Sequence, residues 1–406
     1  MSKPSSASEK NPNALFLSPE SPYPTIGGGP LRSASLLEYL AQTHSVHAVV
    51  FSELGSSDPS RSFPEGRVDK LDLLHLPYHS KRPLARLFRN SLRLILARPP
   101  LLDRFSGFES AIASLLTGRN YDVAVIEHFW CAPYVAQIRT HAKRVILDLH
   151  NIESRWHESL AAHSTSARAF ALRRFAAASH RLEQKWLRCF DAILVPSTQE
   201  ADWVRKISPV EVMVYPNSLP IIPPPQREER EEIVFSGNLE YLPNIEAIHF
   251  FHDRIWPALR RRPQLKWRII GKNPGALRDF LRGDPNIELT GPVENAVAEL
   301  ACAQVAVVPV LSGSGTRVKI LEAWAAGTAV VSTRTGAEGL SSRPGEHLLL
   351  ADAPEDFARA VTTLLDSESE RGRIGAAGRQ LYEQSYTWPA AWKQLGSLFG
   401  NASLAK

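Results

Sequence analysis

Arg317, Lys319 and Glu322 stand close together in the segment 312–340, SGSGTRVKILEAWAAGTAVVSTRTGAEGL, and they are the residues of this chain best placed to do chemistry. Gly313, Ser314, Gly315 and Thr316 precede them, a glycine-rich turn that opens a helix. Cations in a helix's first turn sit against the positive end of its dipole, at a cost of roughly a few tenths of a kcal/mol each. A bound anion reverses that sign, because helix N-termini and flanking glycine amides favour phosphate. Arg317 and Lys319 could therefore hold a diphosphate by charge-assisted hydrogen bonds. Glu322 shares a helix face with Lys319 and could accept hydrogen bonds from a ligand's hydroxyls, such as those of ribose. The alternative for that pair is a surface salt bridge of little worth. The glycine-rich approach to the helix favours ligand binding.

Other polar and glycine positions fall at the ends of apolar runs. In the second half, Gly237-Asn238, Gly271-Lys272, Gly313/Gly315 and Gly336/Gly339 each follow such a run, which places permissive backbone at one end of one sheet. In the first half, Gly27, Gly28 and Gly29 follow the first apolar run, with Arg32 beyond them. They read either as a tight strand–helix turn or as a nest of amides approaching a ligand. Glu127 and His128 end another run, and Asp148, His150 and Asn151 end the next. By strand alternation Glu127 and His128 point to opposite faces, so at most one addresses a ligand squarely.

The elements that must carry these residues alternate short β-branched runs with longer helical patterns, the mark of parallel α/β architecture. Strands are expected at 14–17, 46–51, 122–126, 144–149 and 192–195, with helices from the glycine turn to about 40 and from 166 to 187. A second series has strands at 233–236, 266–270, 287–289, 304–310, 329–331 and 347–350. Its helices are expected at 244–259, 354–365, 371–386 and 389–398. Between the series lies PNSLPIIPPPQREEREE, whose prolines and charge run read as a linker. The expected division is a disordered tail at 1–13, an acceptor-side domain at 14–218, a linker at 219–232, a nucleotide-sugar domain at 233–386 and a closing helix at 387–406 packing back on the first domain. Two Rossmann-like domains would then meet across a cleft at the carboxyl ends of their strands.

Bulk properties narrow the function. With 44% hydrophobic and 22% charged residues the 406-residue chain has a globular composition, and no apolar run approaches the roughly 20 residues of a membrane-spanning helix. The polar N-terminus lacks a signal peptide's apolar core, and Cys131, Cys189 and Cys302 have no metal-ligand spacing, so a cytoplasmic location and no metal site are expected. Residues 81–98, KRPLARLFRNSLRLILAR, carry six cations and no acid, with Leu84, Leu87, Phe88, Leu92 and Ile95 on one helical face. That helix could lie on an anionic membrane, at the inner face of the cell membrane, or pack its apolar side into the core. No aromatic-basic motif accompanies the charge, which argues against nucleic acid.

The string 313–323, GSGTRVKILEA, followed by Ala326-Gly327, Val330-Val331-Ser332 and Gly336-Ala337-Glu338-Gly339-Leu340, resembles the family-4, or group 1, glycosyltransferases of the GT-B fold, most closely their bacterial surface-polysaccharide branch. Gly27–Gly29 with Arg32, Pro216-Asn217 and Gly237-Asn238 support the likeness. The resemblance implies retaining transfer of a hexose or related sugar from a UDP- or GDP-linked donor to a glycan or lipid-linked acceptor, without metal or cofactor. It assigns Gly237, Asn238, Gly271, Lys272, Gly313, Ser314, Gly315, Thr316 and Glu322 to the donor. Arg317, Lys319 and His128 would be catalytic, His128 near the reacting sugar, while Gly28, Gly29, Arg32, Glu127 and His150 would serve the acceptor or cleft closure. The chain departs from the pattern twice. The first of the family's two glutamates falls at Ser314, and the Arg and Lys usual after the first strand of the second domain are missing. Phosphate charge would then fall to Arg317 and Lys319, with Lys272 and Arg32 assisting. A sugar-nucleotide 2-epimerase and a catalytically silent GT-B scaffold are the rival readings. A nicotinamide dehydrogenase is disfavoured, because the first glycines lack G-x-G-x-x-G spacing.

Overall fold

The structure is a computed structural model that describes residues 12–53, 58–78, 82–162, 164–226, 228–313 and 317–399. The chain divides into two compact units. One is built from residues up to Ser154 with Arg174–Val195 and Asp202–Met213, the other from Arg155–Arg173, Pro196–Ala201 and everything after Val214.

The first unit holds a seven-stranded sheet of β1 (Asn13–Ser18), β2 (Ser45–Glu53), β3 (Lys70–Leu76), β4 (Tyr121–Glu127), β5 (Ala142–Asp148), β6 (Ala192–Val195) and β7 (Glu211–Val214). Its order is β3-β2-β1-β4-β5-β6-β7, parallel from β3 through β6. The central strands are apolar and buried over 14–17, 123–126 and 145–147, as expected where helices cover both faces of a parallel sheet. The strand order reverses between β1 and β4, and the Gly28–Ala41 helix leaves from the end of β1 at that point.

The second unit repeats the plan with β8 (Arg230–Ser236), β9 (Lys266–Ile270), β10 (Ile287–Gly291), β11 (Ala303–Val308), β12 (Ala329–Ser332) and β13 (Leu349–Leu350). The order β10-β9-β8-β11-β12-β13 is parallel throughout and reverses between β8 and β11. Val305, Val307, Val330 and Val331 fill the sheet, with Trp256, Trp267 and Trp324 buried around it.

Several elements differ from the sequence expectation. The helix expected over 244–259 runs from Leu242 to Phe250, widens into a π turn over Phe251–Ile255, and resumes at Trp256–Leu259. Pro257 has no N–H to continue the helical ladder, and a π turn accommodates the missing bond. Among the described residues the closing helix is regular over Trp388–Trp392. β3 and β7, both edge strands, were not foreseen.

The proline-rich segment after β7 is pinned along the Glu368–Ser385 helix. The Tyr382 hydroxyl donates to the Pro220 carbonyl at 2.6 Å, and Arg379 donates to the Ile222 carbonyl at 2.6 Å. Prolines cannot enter a ladder, so side chains satisfy these carbonyls instead.

Candidate functional site

In open α/β sheets a ligand site forms outside the carboxyl ends of the strands where the order reverses. In the second unit that point lies between the end of β8, which runs into Gly237, and the end of β11, which leads to Ser312 and Gly313. Gly237 is required there. A Cβ on it would lie 2.7 Å from Asn244 Nδ2 and 3.0 Å from Lys319 Nζ. Gly271, at the end of β9, packs so tightly that a Cβ would overlap the Gly237 carbonyl oxygen. Gly313 has φ +107°, and a Cβ on it would lie 3.0 Å from the Arg317 guanidinium. These glycines let side chains and backbone crowd one spot.

Lys319 and Glu322 project from the Val318–Ala325 helix, with Arg317 at its N-cap. Lys319 Nζ donates to Asn244 Oδ1 at 2.8 Å and stands 4.0 Å above the Phe235 ring. Asn244 is itself held by Nδ2 donating to the Asn238 carbonyl at 2.8 Å, so the acceptor facing Lys319 is fixed. Arg317 is buried, donates to the Ser312 carbonyl at 3.3 Å and bonds Tyr241. Glu322 receives a hydrogen bond from Ser236. Burial, with Arg317 nearby, lowers the Lys319 ammonium to about 7, and Glu322 opposes that only in part. Burial raises the Glu322 carboxyl to about 7 despite Lys319 and Ser236. Two cations held together in a low-dielectric pocket at a helix start gain from an incoming anion.

The cation that the sequence lacks directly after β8 is thus met in space by Lys319, whose ammonium sits over Gly237. Asn244 and Ser236 orient the two charged groups, and neither was identified from the sequence. Asn244 lies six residues beyond Asn238, and Ser236 is inconspicuous as the last residue of a strand. Asn238 and Lys272 are exposed at the same strand ends, and Asn238 Oδ1 closes its turn by accepting from Glu240 N at 3.1 Å. Ser314, Gly315 and Thr316 lie outside the described residues. A separate pocket of about 580 Å³, lined by Arg334, Asp352, Asp356 and Arg359 among others, includes none of the predicted residues.

The first unit's reversal point gathers a second polar cluster from β1, β4 and β5. Gly27, with φ +100°, starts the Gly28–Ala41 helix, and Gly29 lies so close to Glu20 that a Cβ would overlap that carboxylate. Arg32 is 1% exposed and grips Asp148 with two hydrogen bonds, at 2.8 and 2.5 Å. Its charge is neutralised inside the fold, which corrects the expectation that Arg32 assists with phosphate. Ser33 Oγ donates to Glu127 Oε2 at 2.7 Å, and His150 Nε2 shares that oxygen at 2.7 Å while lying 3.4 Å from Asp148. Burial works against a charged His150, but its bonds to Asp148 and Glu127 outweigh this and raise it to about 9. Asp148 is lowered despite burial by Arg32 and His150, whereas burial and Asp148 raise Glu127.

His128 leaves β4 with φ +61°, so strand alternation no longer governs it. Its ring stacks on Trp130 at 4.3 Å and lies 3.5 Å from the His150 ring. Glu127 and His128 therefore join one cluster, which corrects the expectation that they diverge. Burial and the His150 charge lower His128 to about 4, leaving a neutral imidazole. Its ring nitrogens are buried without a hydrogen bond, and the nearest carboxylate oxygen paired with it is Glu20 Oε1, 3.6 Å from Nε2. Such a ring can donate to one hydroxyl and accept from another. Glu127, Asp148 and His150 offer ligand atoms within 4.8 Å of one another, but Arg32 already supplies positive charge to both Asp148 oxygens.

Residues 27–218 match the family model described as a glycosyl transferase 4-like domain, and residues 230–367 match that of glycosyl transferases group 1. An uncharacterized 44.6 kDa protein in the cps region of Klebsiella pneumoniae is 22% identical over 389 residues, covering 92% of this chain and 96% of that one. Sucrose-phosphate synthase from Thermosynechococcus elongatus superposes with a TM-score of 0.72 at 18% identity, covering 97% of this chain and 100% of that chain. HepE of Anabaena, solved in complex with UDP-glucose, superposes with a TM-score of 0.63 at 12% identity over 95% of this chain and 99% of that chain.

Proposed function

The chain belongs to the group 1 glycosyltransferases of the GT-B fold, and from that premise we propose that it moves a hexose or related sugar from a UDP-sugar to a glycan or lipid-linked acceptor, with retention at the anomeric carbon. The observation that carries the donor half is Lys319. Its ammonium is held by Asn244 and Phe235 over Gly237, with no ion-paired carboxylate within 4 Å among the described residues. A departing diphosphate supplies the missing counter-charge. Arg317, Lys319 and the turn before the helix would meet that charge as it develops, a preorganised electrostatic role. Ser236 holds Glu322 for the nucleotide's ribose. Uracil is preferred over guanine because HepE shares the fold and was solved with UDP-glucose.

In the first unit His128, neutral and unsatisfied, is suited to hydrogen-bond the donor sugar or the acceptor. Glu127 is the carboxylate that a double displacement would need. Its Oε2 accepts from Ser33 and His150, its Oε1 makes no hydrogen bond, and burial disfavours its charge, so a free carboxylate nucleophile is disfavoured there. In the scheme that the family membership implies, the acceptor hydroxyl attacks on the face that the diphosphate leaves, with its proton passing to a diphosphate oxygen. No step in this scheme is assigned to a metal ion. The cps-region relative favours a surface polysaccharide precursor as acceptor.

A thermal-shift panel of nucleoside diphosphates and their sugars tests the proposal. UDP should raise the melting temperature more than GDP does, and absence of any nucleotide-dependent shift would overturn the donor site. Incubation with the UDP-sugar alone separates the epimerase, which would return an epimerised donor.

A further inference from the structure

The Pro83–Ile95 helix turns its apolar side outward. Leu84, Leu87, Phe88, Leu92 and Ile95 recur at helical spacing along one stripe, and they are 82, 65, 73, 45 and 70% exposed. With Leu96 they make up six of the ten large hydrophobic side chains exposed on the described chain, so the exposure is concentrated rather than scattered. The opposite side is the one committed to the protein. Arg93 is buried and its Nε donates to Asp103 at 2.7 Å, while Arg174 donates to the carbonyls of Leu94 and Ile95 at 2.7 and 3.1 Å. A helix sunk into a core by its apolar stripe would show the reverse arrangement. Arg82, Arg86 and Arg98 remain exposed around it.

We propose that this helix docks in the interface of an anionic lipid membrane, with the Leu84–Ile95 stripe among the acyl chains and Arg82, Arg86 and Arg98 on lipid phosphates. Thirteen residues are too few to span a bilayer but suit a helix lying in its plane. Long arginine side chains can cover the apolar surface and still reach the headgroups. A second copy of the chain is disfavoured as occupant, because residues 81–98 carry six cations and no acid, and two such helices would repel. The inference deepens the reading of a lipid-linked acceptor, on which its biological sense rests. Its test needs neither donor nor turnover, so the two can fail separately.

The test is flotation of the full chain with phosphatidylcholine vesicles, with and without phosphatidylglycerol, alongside sedimentation velocity without lipid. The wild-type chain should float with the phosphatidylglycerol vesicles and sediment as a single species that does not change with concentration. A Leu87→Glu/Phe88→Glu variant should bind at least about tenfold more weakly, since apolar insertion is lost. An Arg82→Gln/Arg86→Gln/Arg98→Gln variant should lose the preference for phosphatidylglycerol and much of the salt dependence. Both variants should keep the wild-type melting temperature and far-UV circular dichroism without lipid, which certifies their fold. Failure of the wild type to float, or equal flotation by Leu87→Glu/Phe88→Glu, would overturn the proposal. So would a concentration-dependent dimer that this variant abolishes, because a second copy would then be the occupant.

Discussion

Replacing Lys319 by Met separates catalysis from stability more cleanly than any other change in this chain. The thioether keeps an apolar stem over Phe235 while removing the ammonium from Asn244 and Gly237. Because burial lowers Lys319, the ammonium is an unfavourable guest in the unliganded fold, and Lys319→Met should leave the melting temperature equal or higher. Turnover should move the other way. Loss of one preorganised donor to charge forming in the transition state costs about 10²–10³ in kcat, or about 2.7–4 kcal/mol. Nucleotide binding should weaken as well, since a hydrogen bond to a charged group contributes about 1.5–3 kcal/mol. For the wild type, UDP at about one hundred times its Kd adds about 2.7 kcal/mol, which raises the melting point by about 5–10 °C for a domain of this size. At the same UDP concentration Lys319→Met should show half that shift or less. The assay is scanning fluorimetry with and without UDP, paired with donor turnover. A folded Lys319→Met protein with turnover within about threefold of wild type and a full UDP shift would refute the role given to this ammonium.

Three further outcomes follow from the same geometry. Glu322→Gln should weaken UDP binding by about tenfold, through a lost charged hydrogen bond, without lowering the unliganded melting point, as read by calorimetric titration. In that Glu322→Gln background UDP affinity should be highest below pH 7 and fall above it, by up to about tenfold per pH unit. The sign follows because burial lowers Lys319 to about 7 with Glu322 present, and lower once that carboxylate is gone, whereas a bound diphosphate raises it, so binding takes up a proton; an affinity that rises with pH would contradict it. Asp148→Asn should destabilise the first unit by about 3–5 kcal/mol, because the buried Arg32 and His150 lose the carboxylate charge that they share. A melting temperature unchanged in Asp148→Asn would mean that the Arg32–Asp148 pair contributes little.

Much of the proposed donor site could be read from the string because its residues are local. β11 and the Val318–Ala325 helix lie within 303–325, and the types and spacing of Gly313, Arg317, Lys319 and Glu322 suggest their proposed roles in the string itself. The first unit was less legible because its partners meet from far apart in the chain. Arg32 and Asp148 are 116 residues apart, and nothing near Arg32 announces that its charge is neutralised internally. The backbone turn at His128 defeats strand alternation, which presumes extended geometry. β3 escaped notice because Asp72 interrupts its apolar run, an edge-strand carboxylate that accepts from His47 and Lys70. The outward face of the Pro83–Ile95 helix was the hardest to read, since an amphipathic pattern fixes which residues share a side but not which side meets solvent.

The central claim is that this chain transfers a sugar from UDP with retention. The most direct measurement incubates it with a panel of UDP-hexoses and a lipid extract of bacterial membranes, following UDP release and the anomeric configuration of any product by NMR. UDP release should depend on the extract, a new glycosidic bond should keep the donor's anomeric configuration, and both should be lost in Lys319→Met. An inverted linkage, an epimerised donor formed without acceptor, or consumption of none of the UDP-hexoses would contradict it.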